Sequence, residues 1–265
     1  MNWLRTIAIV VLILLLVPVI VLLYEGLGPM STPRGYEYSL FRSIALTIIG
    51  SGIAVLVSVV LYTPLAYYFA RNQNRVMQTL ADIPASIPHP IVGIALLVMV
   101  SPLTPIGRFL VGIGFDLFNT LTGYVICLVI VTAPIYIKAM QPFFESMNRS
   151  HENYAAGLGA TPFRTFLSIV LPSSSRGILS ASLIALSRGI SEYGSIAIIA
   201  YQLLQRPFYG VSPSSVYIVT EYFAGDLNAA VTSSAILIVI SILIMIPLRF
   251  VERPIKRNVK TLIRS

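Results

Sequence analysis

The sequence is poor in charge. Of its 265 residues only 11% are Asp, Glu, Lys or Arg, and 56% are hydrophobic. An ordinary soluble domain is about 25% charged. The shortage excludes a conventional water-soluble globule and points to a polytopic membrane protein. Cysteine is almost missing. Cys127 stands alone in an apolar run, which excludes an intramolecular disulfide and any CxxC or Cys/His metal cluster. It reads as a small buried hydrophobe. No GxxxxGK[ST] phosphate loop occurs, which excludes a P-loop nucleotide site of that kind in this sequence. The "GLG" of residues 157–159 follows no predicted strand and is only a fragment of a dinucleotide fingerprint. Internal repeats and low-complexity tracts are also missing, and residues 1–265 read as one domain.

Long apolar runs are abundant. A spanning helix needs about 20 mostly apolar residues. Six segments qualify, near Arg5–Tyr24, Ser43–Ala70, Ile87–Val100, Leu121–Met140, Ser175–Ala200 and Ala229–Phe250. The third is short unless it begins near Ile83. The first lacks a small-residue cleavage site before "YEGLGP" and is expected to be a retained span. The net charge of +8 would suggest nucleic acid in a soluble protein. Here its distribution explains it better. With a cytoplasmic N-terminus, thirteen Lys and Arg fall on inside segments and span ends, and four (Arg34, Arg42, Arg108 and Arg206) fall outside. That bias predicts six spans with both termini in the cytoplasm. The basic tail after Phe250 reads as a topology signal that also meets anionic headgroups of the bilayer. Two outside loops are expected to hold short helices, one within "PIGRFLVGIGFDLFNT" and one near Val216–Phe223.

Between the fourth and fifth spans lies "ENYAAGLGATPFRTFLSIVLP", Glu152–Pro172. It has too much punctuation for a span, yet it keeps a helical rhythm. It predicts two short helices. Ser150 is placed to cap the first, and Glu152 in its first turn suits the helix dipole. The glycines offer a turn. Thr161 with Pro162 reads as a cap followed by a first-turn proline. Phe163, Phe166, Leu167 and Val170 predict one apolar face. The residues alone allow two readings: a loop packed on its own protein, or a docking element for a cytosolic partner. Asn148-Arg149-Ser150 matches a glycosylation sequon that a cytoplasmic position would leave unused.

This stretch resembles the EAA loop of ABC importer permeases. Glu152 matches the first glutamate of that motif, Ala155 its second alanine and Gly159 its glycine. Ile169, Leu171 and Pro172 match its end. Asn153 and Tyr154 depart from the pattern. The resemblance implies a type I importer permease fold, with a coupling loop over about 145–172 that inserts into a cleft of the ATP-binding subunit. Glu152, Ala155, Ala156, Gly159, Ala160, Pro162, Leu171 and Pro172 are its implied coupling residues.

Within the fifth span, Arg188 and Glu192 are four residues apart and so neighbours on a helix face. Ala181, Ala185 and Ser195 continue that face, with Ser187, Ser191 and Gly194 beside it. A charge inside a span faces protein or a wet path. The pair either fixes packing or lines a pathway in which Arg188 attracts an anion. In "DIPASIPHPIVGIALLV", Pro84, Pro88 and Pro90 predict irregular backbone at the third span, where His89 reads as a cap or a buried hydrogen-bonding group. "IPHPIVGIALL" and "SRGISEYGSIAIIAY" resemble molybdate/tungstate permeases, with sulfate permeases similar in the second segment. The resemblance implies a tetrahedral oxyanion importer whose pathway residues are His89, Arg188, Ser191, Glu192 and Ser195. It implies a homodimer, two cytosolic ATP-binding subunits that carry ATP and Mg²⁺, and an extracytoplasmic oxyanion-binding protein. It implies no cofactor, metal or catalytic residue in this chain and no nucleic-acid partner. The alternatives are a sulfate/thiosulfate permease, an ion channel, or a membrane-embedded enzyme. The last two lack a need for a docking module or the paired intramembrane acids that catalysis would require.

Overall fold

The computed structural model describes residues 2–33, 37–72 and 74–251. Arg34 and the basic tail residues Arg253, Lys256, Arg257, Lys260 and Arg264 lie outside the described residues. Helices α1 (Asn2–Leu27), α2 (Tyr38–Arg71), α3 (Arg75–Ser86), α4 (His89–Met99), α5 (Pro105–Gly112) and α6 (Leu121–Ser146) come first. Three short helices follow, α7 (Ser150–Gly157), α8 (Pro162–Thr165) and α9 (Leu171–Ser173), with a π-helical turn at Phe166–Val170 before α9. Then come α10 (Ser175–Ile190), α11 (Ile196–Ile199), α12 (Ser214–Phe223) and α13 (Leu227–Val251). Among the described residues the only strand-like pairing is one bridge between Leu203 and Val211.

Among the described residues four helices are long and apolar enough to cross a membrane: Trp3–Leu27, Tyr38–Arg71, Leu121–Ser146 and Leu227–Ile246. Two bent pairs raise the number to six if each counts as one span. They are Arg75–Ser86 with His89–Met99, at 100°, and Pro162–Ser173 with Ser175–Ile190, at 73°. The first bend is where the prolines predict it: Pro88 ends α3's run and Pro90 sits in the first turn of α4.

The centre is the packing of α2 on α6, with α10 against both. In lipid, water does not drive helices together, so close approach by small residues does. The buried stripe of α2 has that composition: Ser43, Thr47, Gly50, Ser51, Ala54 and Ser58. Tyr124 of α6 fills the notch over Gly50, and Tyr136 reaches Thr63 through a 2.7 Å hydroxyl contact. By contrast, α1 packs on α13, and its apolar side chains are exposed, as a lipid-facing helix requires.

The short helices expected within residues 105–120 and near Val216–Phe223 appear as α5 and α12. The fifth span departs from expectation. It is not one helix to Ala200: α10 stops at Ile190, residues 191–195 are irregular, and α11 adds a single turn. A Ser/Gly-rich stretch with one acid gives the backbone side-chain and turn partners that compete with helix.

Candidate functional site

Two polar sites interrupt this apolar body, and each is built on an Arg–Glu pair. The first lies in the module from Ser150 to Pro172. Helix α7 ends in a Schellman turn. Ala160 N–H donates to Ala155 O at 2.9 Å and Gly159 N–H to Ala156 O at 3.0 Å. Gly159 takes φ +80°, which the turn demands and which favours glycine. Thr161 caps α8, its Oγ1 accepting from Arg164 N–H at 3.3 Å, with Pro162 at the first helical position. The predicted Ser150 cap is not what forms. Asn148 Oδ1 instead accepts from Ser150 N–H at 2.9 Å and from its Oγ at 2.7 Å. The helix begins at Ser150 itself, with Arg149 at the N-cap and no side-chain cap bond, and the Asx turn at Asn148 takes up Ser150's N–H and hydroxyl. The predicted single apolar face also splits: Phe166 and Val170 turn inward, while Phe163 and Leu167 are exposed. The π-helical turn widens the repeat, so three- and four-residue spacing no longer marks one face.

Glu152 points into the protein. Its Oε1 accepts from Arg71 Nη2 at 2.5 Å. Its Oε2 accepts from Arg71 Nε at 3.2 Å and from the Tyr67 hydroxyl at 2.7 Å. Burial alone would raise the Glu152 carboxyl, but the hydrogen bonds from Arg71 and Tyr67, with the charges of Arg71 and Arg149, outweigh it and hold it below its usual range. Ala155 is buried beside it, Ala160 and Leu171 are half-buried, and Ala156, Gly159, Pro162 and Pro172 are exposed. The module presents large apolar side chains to its surroundings: Leu158 is 89% exposed, Phe163 73% and Tyr154 71%. Arg71 and Tyr67 were invisible as site residues. Arg71 reads in sequence only as a basic span end.

The second site lies where the broken third and fifth spans meet. Gly93 of α4 lies against the irregular 191–195 stretch: a Cβ there would fall 2.5 Å from Ser195 O. Glu192, just past the end of α10, is 1% exposed. Its Oε2 takes Arg188 Nη2 at 2.6 Å, and its Oε1 accepts from Ser195 N–H at 3.0 Å and Ser195 Oγ at 2.7 Å. Ser215 Oγ donates to its main-chain carbonyl at 2.6 Å. Arg188 Nη2 also lies 2.8 Å from His89 Nε2. Arginine only donates, so His89 accepts at Nε2 and carries its proton on Nδ1. That Nδ1 is 3.7 Å from Glu192 Oε2 and makes no hydrogen bond. Ser191 is exposed, its hydroxyl donating to Arg188 O at 3.1 Å. The five residues His89, Arg188, Ser191, Glu192 and Ser195 are therefore one cluster. The guanidinium is shared between an acid and an imidazole and remains partly open to the outside.

The fold and these sites define a multi-pass, all-helical membrane protein with a folded polar module and a charged cluster at interlocked helix breaks. Residues 61–260 match the binding-protein-dependent transport system inner membrane component family. The chain belongs to that family, and so is an integral inner-membrane permease subunit of an ABC importer. It is a transport subunit rather than an enzyme, and ATP hydrolysis resides on a separate subunit. It is 33% identical over 199 residues to the molybdate/tungstate transport system permease protein WtpB of Pyrococcus abyssi, covering 74% of this chain and 71% of that one. It is 26% identical over 262 residues to the sulfate transport system permease protein CysT of Synechocystis sp., covering 95% and 88%. Its fold matches a bacterial ABC transporter involved in the import of the acidic polysaccharide alginate, with TM-score 0.67, 20% identity and 97% of each chain covered. Permeases of this kind work with an ATPase and a periplasmic binding protein.

Proposed function

We propose that this chain forms the translocation pathway of a molybdate/tungstate importer and couples it to the ATPase through the Ser150–Pro172 module. The observation that carries the coupling is the exposure of three large apolar side chains, Tyr154, Leu158 and Phe163, on the two short helices and the turn of the module. Each bent pair counts as one span, which gives six, with both termini cytoplasmic and the module on that side. The single domain pairs with a second copy, because one chain offers one docking module and an ATPase dimer has two clefts. ATP and Mg²⁺ bind on that dimer. Its closure drives the paired modules together and switches the pore by rigid-body rotation. An external binding protein delivers the oxyanion, and the His89–Arg188–Glu192 cluster meets it within the pathway.

Replacement of Leu158 and Phe163 by Asp tests the docking. Loss of ATPase co-purification with intact permease supports it, and retention sinks it. The substrate is tested on the partner binding protein. Tight molybdate or tungstate binding with weak sulfate binding supports this choice. The reverse supports a sulfate importer, the reading favoured by the relative from Synechocystis sp..

A further inference from the structure

The Arg71 guanidinium touches three separate elements. It holds Glu152 of α7 through two nitrogens. Its Nη1 donates to Phe144 O at 2.8 Å, in the last turn of α6. It rises from the last turn of α2 itself and lies over the Tyr67 ring, 5.2 Å from its centroid. Tyr67 in turn sits between Phe144 of α6 and Phe166 of the π-helical turn, at 5.4 and 5.2 Å. An eight-residue helix such as α7 is too short to hold its own conformation in water. Its placement relative to the membrane body has to come from contacts of this kind. The opposite end of α2 is also tied down. Thr47 Oγ1 accepts from Ser214 N–H at 2.8 Å, and Arg42 Nη2 donates to Pro207 O at 3.0 Å. One helix of 34 residues, about 50 Å long at 1.5 Å per residue, thus joins the module to the stretch that leads into α12.

We propose that Arg71, supported by Tyr67, is a positioning residue that locks the coupling module to α2 and α6, so that movement of the module is delivered along α2 to the far face. The proposal rests on the coupling role of the module. A bidentate guanidinium–carboxylate pair fixes distance and angle together, which a single point contact would not. Lysine cannot reproduce it.

The test uses the complete importer, with its ATPase and binding protein, reconstituted in vesicles with molybdate as the transported probe. ATP turnover and anion uptake are measured together. With Arg71→Gln the complex assembles and hydrolyses ATP, but anion moved per ATP falls about tenfold, within the usual range for coupling between distant sites. Arg71→Lys and Tyr67→Phe lower it less, in that order. The exchange Arg71→Glu with Glu152→Arg recovers part of the loss, which general destabilisation would not. An unchanged ratio in Arg71→Gln overturns the proposal. Should Arg71→Gln fail to assemble, Arg71→Lys and Tyr67→Phe decide: unchanged ratios in both overturn it. Failure of the unmodified chain to hold the ATPase removes the coupling reading itself, and this proposal with it.

Discussion

The two Arg–Glu pairs look alike and behave as opposites. Arg188 and Glu192 are four residues apart and close a single helix end. Arg71 and Glu152 are separated by 81 positions and bridge different elements. In the first, Glu192 is almost wholly buried while the arginine is shared with His89. In the second, both side chains keep a small exposure, 11% and 16%, and the arginine reaches out to a third element. The first pair neutralises a carboxylate that is almost wholly buried, a charge an apolar interior does not tolerate unpaired. The second uses charge to fix geometry at the edge of the body. Pairing between near neighbours closes a helix end and neutralises a buried carboxylate, whereas pairing across the sequence fixes separate elements relative to one another.

The largest effect should come from unbalancing the buried pair. Glu192→Ala leaves Arg188 without its counter-charge and frees Ser195 N–H and Oγ. The expected loss is about 3–5 kcal/mol, read as a fall in the thermal midpoint of the detergent-solubilised protein. Arg188→Gln with Glu192→Gln should regain most of that stability while uptake stays impaired. Recovery of both would reduce the pair to packing alone and remove Arg188 from the pathway. Removing the second pair with Glu152→Gln should cost less, about 2 kcal/mol, the scale of hydrogen bonds to a charged group.

The contrast between the pairs also explains what the sequence could show. Four-residue spacing marked positions 188 and 192 as neighbours, and the pair was legible because the turn that ends α10 keeps Glu192 N–H on Gly189 O and so close to Arg188 even though the helix stops at Ile190. No local pattern places Arg71 beside Glu152, because their meeting depends on how α2 packs on α6. The apolar segments and the Pro88 break could be read from composition and proline chemistry. The 191–195 break carries no proline, and its only signal was a Ser/Gly-rich run around Glu192. The turn at Gly159 and the cap at Thr161 followed from residue type. The π-helical turn at Phe166–Val170 did not, because the same side chains fit an ordinary helix face.

A smaller effect separates the module's turn from its anchor. Gly159 sits at φ +80° with no other atom within 4 Å of where a Cβ would stand. Substitution there strains only the backbone, by about 1–2 kcal/mol for Val. Asn, which accepts left-handed geometry, should be milder. Gly159→Val should lower anion uptake per ATP while hydrolysis continues. Equal coupling in the Val and Asn variants would show that the turn's conformation does not matter.

Acidity probes the Arg71–Glu152 pair further. The Glu152 carboxyl is held below its usual range. A carboxyl depressed in the folded state contributes stability above its unfolded pKa, about 4.3, and loses it as pH falls through the lower folded value. The stability gap between the unmodified chain and Glu152→Gln should therefore be full at neutral pH and close only below the ordinary carboxylate range. A gap that already closes between pH 7 and 5 would mean that Glu152 is not held by Arg71 in solution.

The smallest effect concerns His89, the second partner of Arg188. The imidazole accepts through Nε2, so only a side chain with an acceptor at that reach can replace it. His89→Gln retains an amide oxygen for the guanidinium and should change stability by less than about 1 kcal/mol. His89→Leu removes the acceptor and should cost about 1 kcal/mol, the net worth of one hydrogen bond between partly exposed side chains. Uptake sharpens the point. With the Leu variant, Arg188 leans wholly on Glu192, and its charge is withdrawn from the open side of the cluster. The anion concentration for half-maximal uptake should then rise more than the maximal rate falls. Equal behaviour of the Gln and Leu variants would show that Glu192 alone holds Arg188, and that the imidazole merely fills the space where the two helix breaks meet.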